Sequence, residues 1–141
     1  MKTTAKKSIT VEATVNAPVE KVWTLWSDPK HITQWCNASD DWHAPKAEND
    51  LRTGGKFNTT MAAKDGSVSF DFEGTYTEVE PHKLIEYGLA DGRKVKIVFA
   101  PNGNDTIITE TFDAEEVNAI DMQRNGWQAI LNNFKKYVET K

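Results

Sequence analysis

Residues 118–138 read Asn-Ala-Ile-Asp-Met-Gln-Arg-Asn-Gly-Trp-Gln-Ala-Ile-Leu-Asn-Asn-Phe-Lys-Lys-Tyr-Val. This stretch decides the fold, because it is the one long helical pattern in the chain. Ile120, Trp127, Ile130, Leu131, Phe134 and Val138 fall on a single stripe. Asn118 suits a helix cap, and Asp121 suits the first turn. Lys135 and Lys136 sit near the far end, where the helix dipole favours cations. About 22 residues at about 1.5 Å each give a rod of about 33 Å. Gly126 interrupts it at a cost of about 1 kcal/mol against alanine. Either the helix approaches a strand or ligand closely there, or it is tightly packed.

Working back from the helix, the period becomes two. Thr106 to Asp113 is a strand with Ile108, Glu110 and Phe112 on one face. Val95, Ile97 and Phe99 alternate before the turn at Pro101-Asn102-Gly103-Asn104. Asp91-Gly92 is a hairpin signal. Leu84 to Leu89 carries Ile85, Tyr87 and Leu89 on one face, after a turn at Pro81-His82-Lys83. Val68, Phe70, Phe72, Gly74 and Tyr76 share the next inward face. Lys64-Asp65-Gly66-Ser67 joins that strand to one carrying Phe57, Thr59 and Met61. Ile9, Val11, Ala13 and Val15 form the first strand.

Between the first strand and the meander lie two short helices. Asn16 is placed to cap the first, with Pro18 in its opening turn and Val19, Val22, Trp23 and Trp26 at helical spacing. Asp28-Pro29 ends it, since the residue before proline disfavours helix. The second carries Ile32 and Trp35. Residues 37–50 read as a polar loop holding Trp42 and Pro45, with Trp42 able to cover a cavity mouth. About five strands then meander to the terminal helix. Consecutive hairpins make an antiparallel sheet. Its apolar face needs a cover, and the terminal helix is the long cover at hand. The fold class is α+β, a curved sheet wrapped around one helix. Residues 1–141 form one domain, with a flexible segment at 1–7.

Composition narrows the function. The net charge is −4 and the pI about 5.4, which speaks against a nucleic-acid partner gripped by a basic surface. No apolar run reaches the length of a signal peptide or a membrane span, so the expectation is a cytoplasmic protein without stable membrane insertion. It is expected to be a monomer or homodimer. Cys36 is the single cysteine, which excludes an internal disulfide; a nucleophilic role needs a base to orient its thiolate, and His31 and His43 are near it only in sequence. His31, His43 and His82 lie in turns or loops without metal-ligand spacing. Gly54-Gly55 lacks the Lys-Ser/Thr of a phosphate loop, and G-x-S-x-G is missing. No metal and no cofactor is expected. Five Trp, six Phe and three Tyr are a large aromatic load, spread around one sheet–helix interior.

Several stretches resemble the START-like, birch-pollen-allergen-like (SRPBCC) superfamily of helix-grip domains. Within it the chain is similar to the branch named for the activator of the ninety-kilodalton heat-shock chaperone ATPase. The stretches are Asn16-Ala17-Pro18-Val19-Glu20-Lys21-Val22-Trp23, Asp28-Pro29 leading to Gln34-Trp35, and Gly54-Gly55-Lys56-Phe57. They continue with Phe72-Glu73-Gly74-Thr75-Tyr76, Pro81 to Tyr87, and Gly126-Trp127 through Phe134. The resemblance implies a cavity between sheet and terminal helix that takes lipids, sterols, polyketides or other apolar molecules, and in a few members cyclase or hydrolase chemistry. It concerns one domain of the chaperone activator, which also has a separate chaperone-binding domain.

Candidate liners of such a cavity are Trp35, Phe57, Met61, Phe70, Phe72, Tyr76, Tyr87, Phe99, Met122 and Trp127, although any single one reads equally as core packing. Glu110 has two placements. It points inward with Ile108 and Phe112, or Ile107 points inward and Glu110 faces water. The rarity of unpaired buried carboxylates favours the second. Inward, Glu110 is the acid–base candidate, beside Tyr76, Tyr87 or a pairing Arg124. Three functions follow in order. The first is binding of a small apolar or amphipathic ligand. The second is a cavity enzyme of cyclase, aromatase or hydrolase type using Glu110. The third is a partner that modulates a chaperone.

Overall fold

The computed structural model describes residues 8–37, 40–115 and 119–141. Residues 1–7 and the expected cap Asn118 lie outside them. The elements run β1 (Ser8–Val15), α1 (Val19–Ser27), α2 (Pro29–Trp35), β2 (Trp42–Asn49), β3 (Lys56–Ala63), β4 (Ser69–Glu80), β5 (Leu84–Leu89), β6 (Lys94–Asn102), β7 (Asp105–Asp113) and α3 (Ile120–Glu139). All seven strands join one antiparallel sheet in the order β1-β7-β6-β5-β4-β3-β2. The sheet curls around α3, the α+β architecture that the alternating strands and the terminal stripe require. The helices α1 and α2 carry the chain from one edge strand to the other.

Residues 37–50 are not all loop, because β2 occupies Trp42–Asn49 as the edge strand. Six strands therefore follow the two helices, one more than the alternation shows. The reason is physical. Ala44 is the one buried side chain of this strand, so no large apolar period marks it. Its register shifts between His43 and Lys46, around Pro45, and a proline without an N–H is tolerated at an edge or a bulge. Trp42 accordingly stands on this strand with its ring 6.0 Å from that of Phe70.

Asn16 does not cap α1. Its backbone N–H donates to Glu139 at 2.9 Å, and Pro18 holds the cap position without a side-chain bond. Asp28 serves both short helices, ending α1 and accepting from the Lys30 N–H at 2.9 Å to start α2. The buried Thr106 hydroxyl donates to the Ala17 carbonyl at 2.9 Å and ties this corner to β7.

Helix α3 does two jobs along its length. Its second half buries Leu131, Phe134 and Val138 completely against β1 and the short helices. Its first half leaves Trp127 and Ile130 only partly covered, over a hollow in the sheet. Gly126 fits neither sequence reading, since a Cβ there would meet nothing within 4 Å. Gly126→Ala is therefore expected to stabilise the protein by about 1 kcal/mol, raising Tm by about 3 °C. Thermal unfolding followed by circular dichroism checks this, and a lowered Tm contradicts it.

Candidate functional site

The hollow is set by residues far apart in sequence. On β3 and β4 the register pairs Met61 with Phe70, Thr59 with Phe72 and Phe57 with Gly74, so these side chains share the concave face. Gly74 leaves room for the Phe57 ring, because a Cβ would lie 2.9 Å from it and 2.7 Å from the Gly88 carbonyl oxygen. Tyr76 and Tyr87 face each other across β4 and β5. The Tyr76 hydroxyl donates to the Asn49 side chain, whose amide donates to the Ser27 carbonyl at 2.7 Å. Asn133 on α3 donates to the Trp35 carbonyl at 2.7 Å and fixes the end of α2. The Trp35 indole donates to the Leu25 carbonyl at 3.0 Å. On the helix side, Trp127 stacks on Phe112 at 3.9 Å with 13° between the planes.

These elements enclose a cavity of about 330 Å³. That lies at the lower end of the range for small-molecule sites. Its walls are largely aromatic. Phe57 lies 4.7 Å from Tyr87 and 5.8 Å from Phe72, and Phe72 lies 6.1 Å from Trp127, edge to face in two of the three pairs. Phe70 and Met122 are 51% and 62% exposed. They stand at the sheet end where β4 begins, β7 ends and α3 starts.

Glu110 points inward, which corrects the expectation that it faces water. It is 5% exposed, and β7 aims it into the cavity between Ile108 and Phe112. Strand pairing enforces this, because Ile107 and Thr109 take the opposite face. Arg124 does not reach it. That guanidinium bonds Asp121 at 3.2 Å on the exposed side of α3. Among the described residues Glu110 has no hydrogen-bond or ion-pair partner. Burial alone pushes its carboxyl up to about 8, which favours the neutral acid over the carboxylate near neutral pH. The Tyr87 hydroxyl is likewise buried and without a hydrogen-bond partner among the described residues. Burial, reinforced by Glu110, pushes Tyr87 well above the usual phenol range. Cys36 donates weakly to the Met61 sulfur at 3.8 Å, and burial with help from Glu110 pushes its thiol up to about 12. A thiol of that kind is not a nucleophile near neutral pH.

Of the residues expected at the cavity, the structure brings together Trp35, Phe57, Met61, Phe70, Phe72, Tyr76, Tyr87, Glu110 and Trp127. Phe99 lies away from it, wedged against Trp23 at 5.2 Å and Trp26 at 5.6 Å under α1. Met122 does not line it either, since its side chain is exposed on the first turn of α3. Several liners escaped sequence reasoning. Ile85, Ile97 and Ile130 carried a usable signal, being inward by period on strands and helix already read. Trp26, Ile32 and Thr59 sit beside residues that were singled out. Cys36, Asn49, Arg93 and Glu115 reach the cavity from element ends, where no period speaks. No group of three or more His, Cys, Asp or Glu among the described residues is arranged to hold a metal ion. No helix among them is long and apolar enough to cross a membrane.

A curled antiparallel sheet closed by one long helix over an aromatic hollow defines a helix-grip domain. The chain belongs to the family of Activator of Hsp90 ATPase homolog 1-like proteins, whose model matches residues 16–139. It is similar to the AHSA1-like protein from Aeromonas hydrophila, with 46% identity over 95% of this chain and 93% of that one, at a TM-score of 0.89. It is also similar to Chr148 from Cytophaga hutchinsonii, with 59% identity over 94% and 92% of the two chains and a TM-score of 0.83. Protein CV1439 from Chromobacterium violaceum, at 23% identity, 94% and 96% coverage and a TM-score of 0.83, shares the fold. Among curated proteins none matches the chain.

Proposed function

We propose that this protein binds a small apolar or amphipathic molecule in the cavity between the sheet and α3. The observation that carries the reading is the 330 Å³ hollow, walled by aromatic rings and holding an unpaired carboxyl and an unpaired phenol. A core built only for stability fills such space, because voids forfeit dispersion contacts, and it pairs its polar groups. A cavity with few convergent polar groups suits a ligand that is mostly apolar. Glu110 also supports acid–base chemistry on such a ligand, but Cys36 adds no nucleophile. Binding is therefore the primary reading.

Trp35 and Trp127 line the cavity and report occupancy directly. Titration with a panel of lipids and polyketides is expected to quench tryptophan fluorescence saturably for at least one class. Native mass spectrometry is expected to show one added ligand mass. No quenching and no bound mass across the panel overturns the reading.

A further inference from the structure

The polar content of the cavity is lopsided. Its charged lining residues are Glu110, Glu115 and Arg93, and of these Glu115 and Arg93 already have interactions of their own. Arg93 is already engaged, donating from Nε to Asp91 at 2.7 Å. Glu110 has no counter-ion among the described residues, and the amide that β2 brings to the cavity, Asn49, is already bonded to Tyr76 and the Ser27 carbonyl. Ile97 is its register partner on β6. Tyr87 faces it from β5, Tyr76 lies beyond on β4, Cys36 stands at the end of α2, and α3 contributes Trp127 and Ile130. The rings of Phe57, Phe72, Tyr87 and Trp127 form a connected aromatic wall beside the carboxyl. A carboxyl able to ionise next to aromatic faces is the environment that an organic ammonium ion requires, the carboxylate supplying the counter-charge and the rings cation–π attraction.

We propose that the ligand of this cavity is an apolar amine, held as its ammonium ion by Glu110 within that aromatic wall. The proposal rests on the reading of the cavity as a ligand site and adds the ligand's chemical class. The apolar body of the amine fills the hollow. Its nitrogen donates to the Glu110 carboxylate, in a cavity that the Tyr87 hydroxyl also lines. A neutral alcohol of the same shape meets the protonated carboxyl through a neutral hydrogen bond, about half as strong as a charge-assisted one, and brings no cation to the aromatic wall. Binding an ammonium ion requires Glu110 to give up its proton to solvent. Below about pH 8 each bound amine therefore releases one proton, and affinity rises with pH. Cys36, Tyr76 and Tyr87 stay neutral through this window, since burial raises all three.

Calorimetric titration with phenylbutylamine, phenylbutanol and butylbenzene tests this on the full chain. The amine is expected to bind at least tenfold more tightly than the alcohol at pH 8. Its affinity is expected to rise roughly tenfold per pH unit from pH 6 to pH 8. Glu110→Gln is expected to bring amine and alcohol within about threefold of each other, which follows from exchanging a charge-assisted bond for a neutral one. An amine no tighter than the alcohol, a preference that survives in Glu110→Gln, or an amine affinity that falls as pH rises each overturns the proposal. The wild-type pH profile needs no variant to fold. Neutral probes that bind while the amine does not overturn the amine and leave the cavity reading standing. Silence from all three probes overturns both.

Discussion

Replacing Phe134 with alanine is expected to destabilise the protein by about 3 to 5 kcal/mol, the usual cost of emptying a fully buried aromatic site. Phe134 is 0% exposed and sits where α3 meets both short helices. Its ring lies 4.9 Å from Trp26 and 4.8 Å from Trp35, edge to face with each. Two large indoles cannot slide into the vacated space without breaking their own contacts. Trp35 is further held by its bond to the Leu25 carbonyl. The cavity term therefore survives relaxation and the cost falls in the upper range. For a chain of this length each kcal/mol moves Tm by about 3 °C, so a drop of about 10 to 15 °C is expected. Differential scanning calorimetry measures it. A change below about 2 °C would show that the three rings do not form the hub of the core.

The second large effect is a pH dependence that Glu110→Gln removes. The folded chain holds the Glu110 proton up to about pH 8, whereas an unfolded chain releases it near the ordinary value of 4.5. Below pH 4.5 both states are protonated, and the pH-dependent part of the cost of burying this group vanishes. Between about pH 4.5 and 8 the unfolded state ionises first, so stability falls as pH rises. Above pH 8 the full difference applies, with an upper bound of about 5 kcal/mol. Glutamine keeps the shape and cannot ionise. The variant is therefore expected to gain on the wild type by about 3 to 5 kcal/mol between pH 4.5 and pH 9, or about 10 °C in Tm. Taking the difference between the two proteins cancels the other titrating groups. A difference that stays constant across this range would falsify the burial of Glu110.

This carboxyl also shows how far the sequence reaches. Period two along β7 put Ile108, Glu110 and Phe112 on one face, but alternation does not say which face is inside. General experience with carboxylates pointed outward, and the structure points it inward. The choice is made by register, since β1 and β6 pair with β7 so that Val11 and Ile97 flank Glu110 on the concave side. An apolar neighbourhood outvoted one charge. Strand β2 was missed for a related reason, because a strand carrying alanines, a proline and polar residues has no alternation to read. Phe99 and Phe57 have equal claims by period and occupy different places. Phe99 fills the space under α1, and Phe57 borders the hollow, a distinction made by where the helices cross the sheet.

What the sequence determined by itself is every element but β2, their order, and which residues share a face. Periods of 2 and 3.6 are local, and they survive in a single string of residues. The long stripe from Ile120 to Val138 demanded a curved sheet to bury it, and the hairpin signals supplied one. What only the tertiary structure decided is how completely that burial succeeds. The second half of α3 closes on β1, and the first half bridges a gap with Trp127, leaving the cavity. A void is the difference between large packed volumes contributed by distant segments. No local pattern encodes that difference, and no local pattern encodes the unpaired carboxyl that faces it.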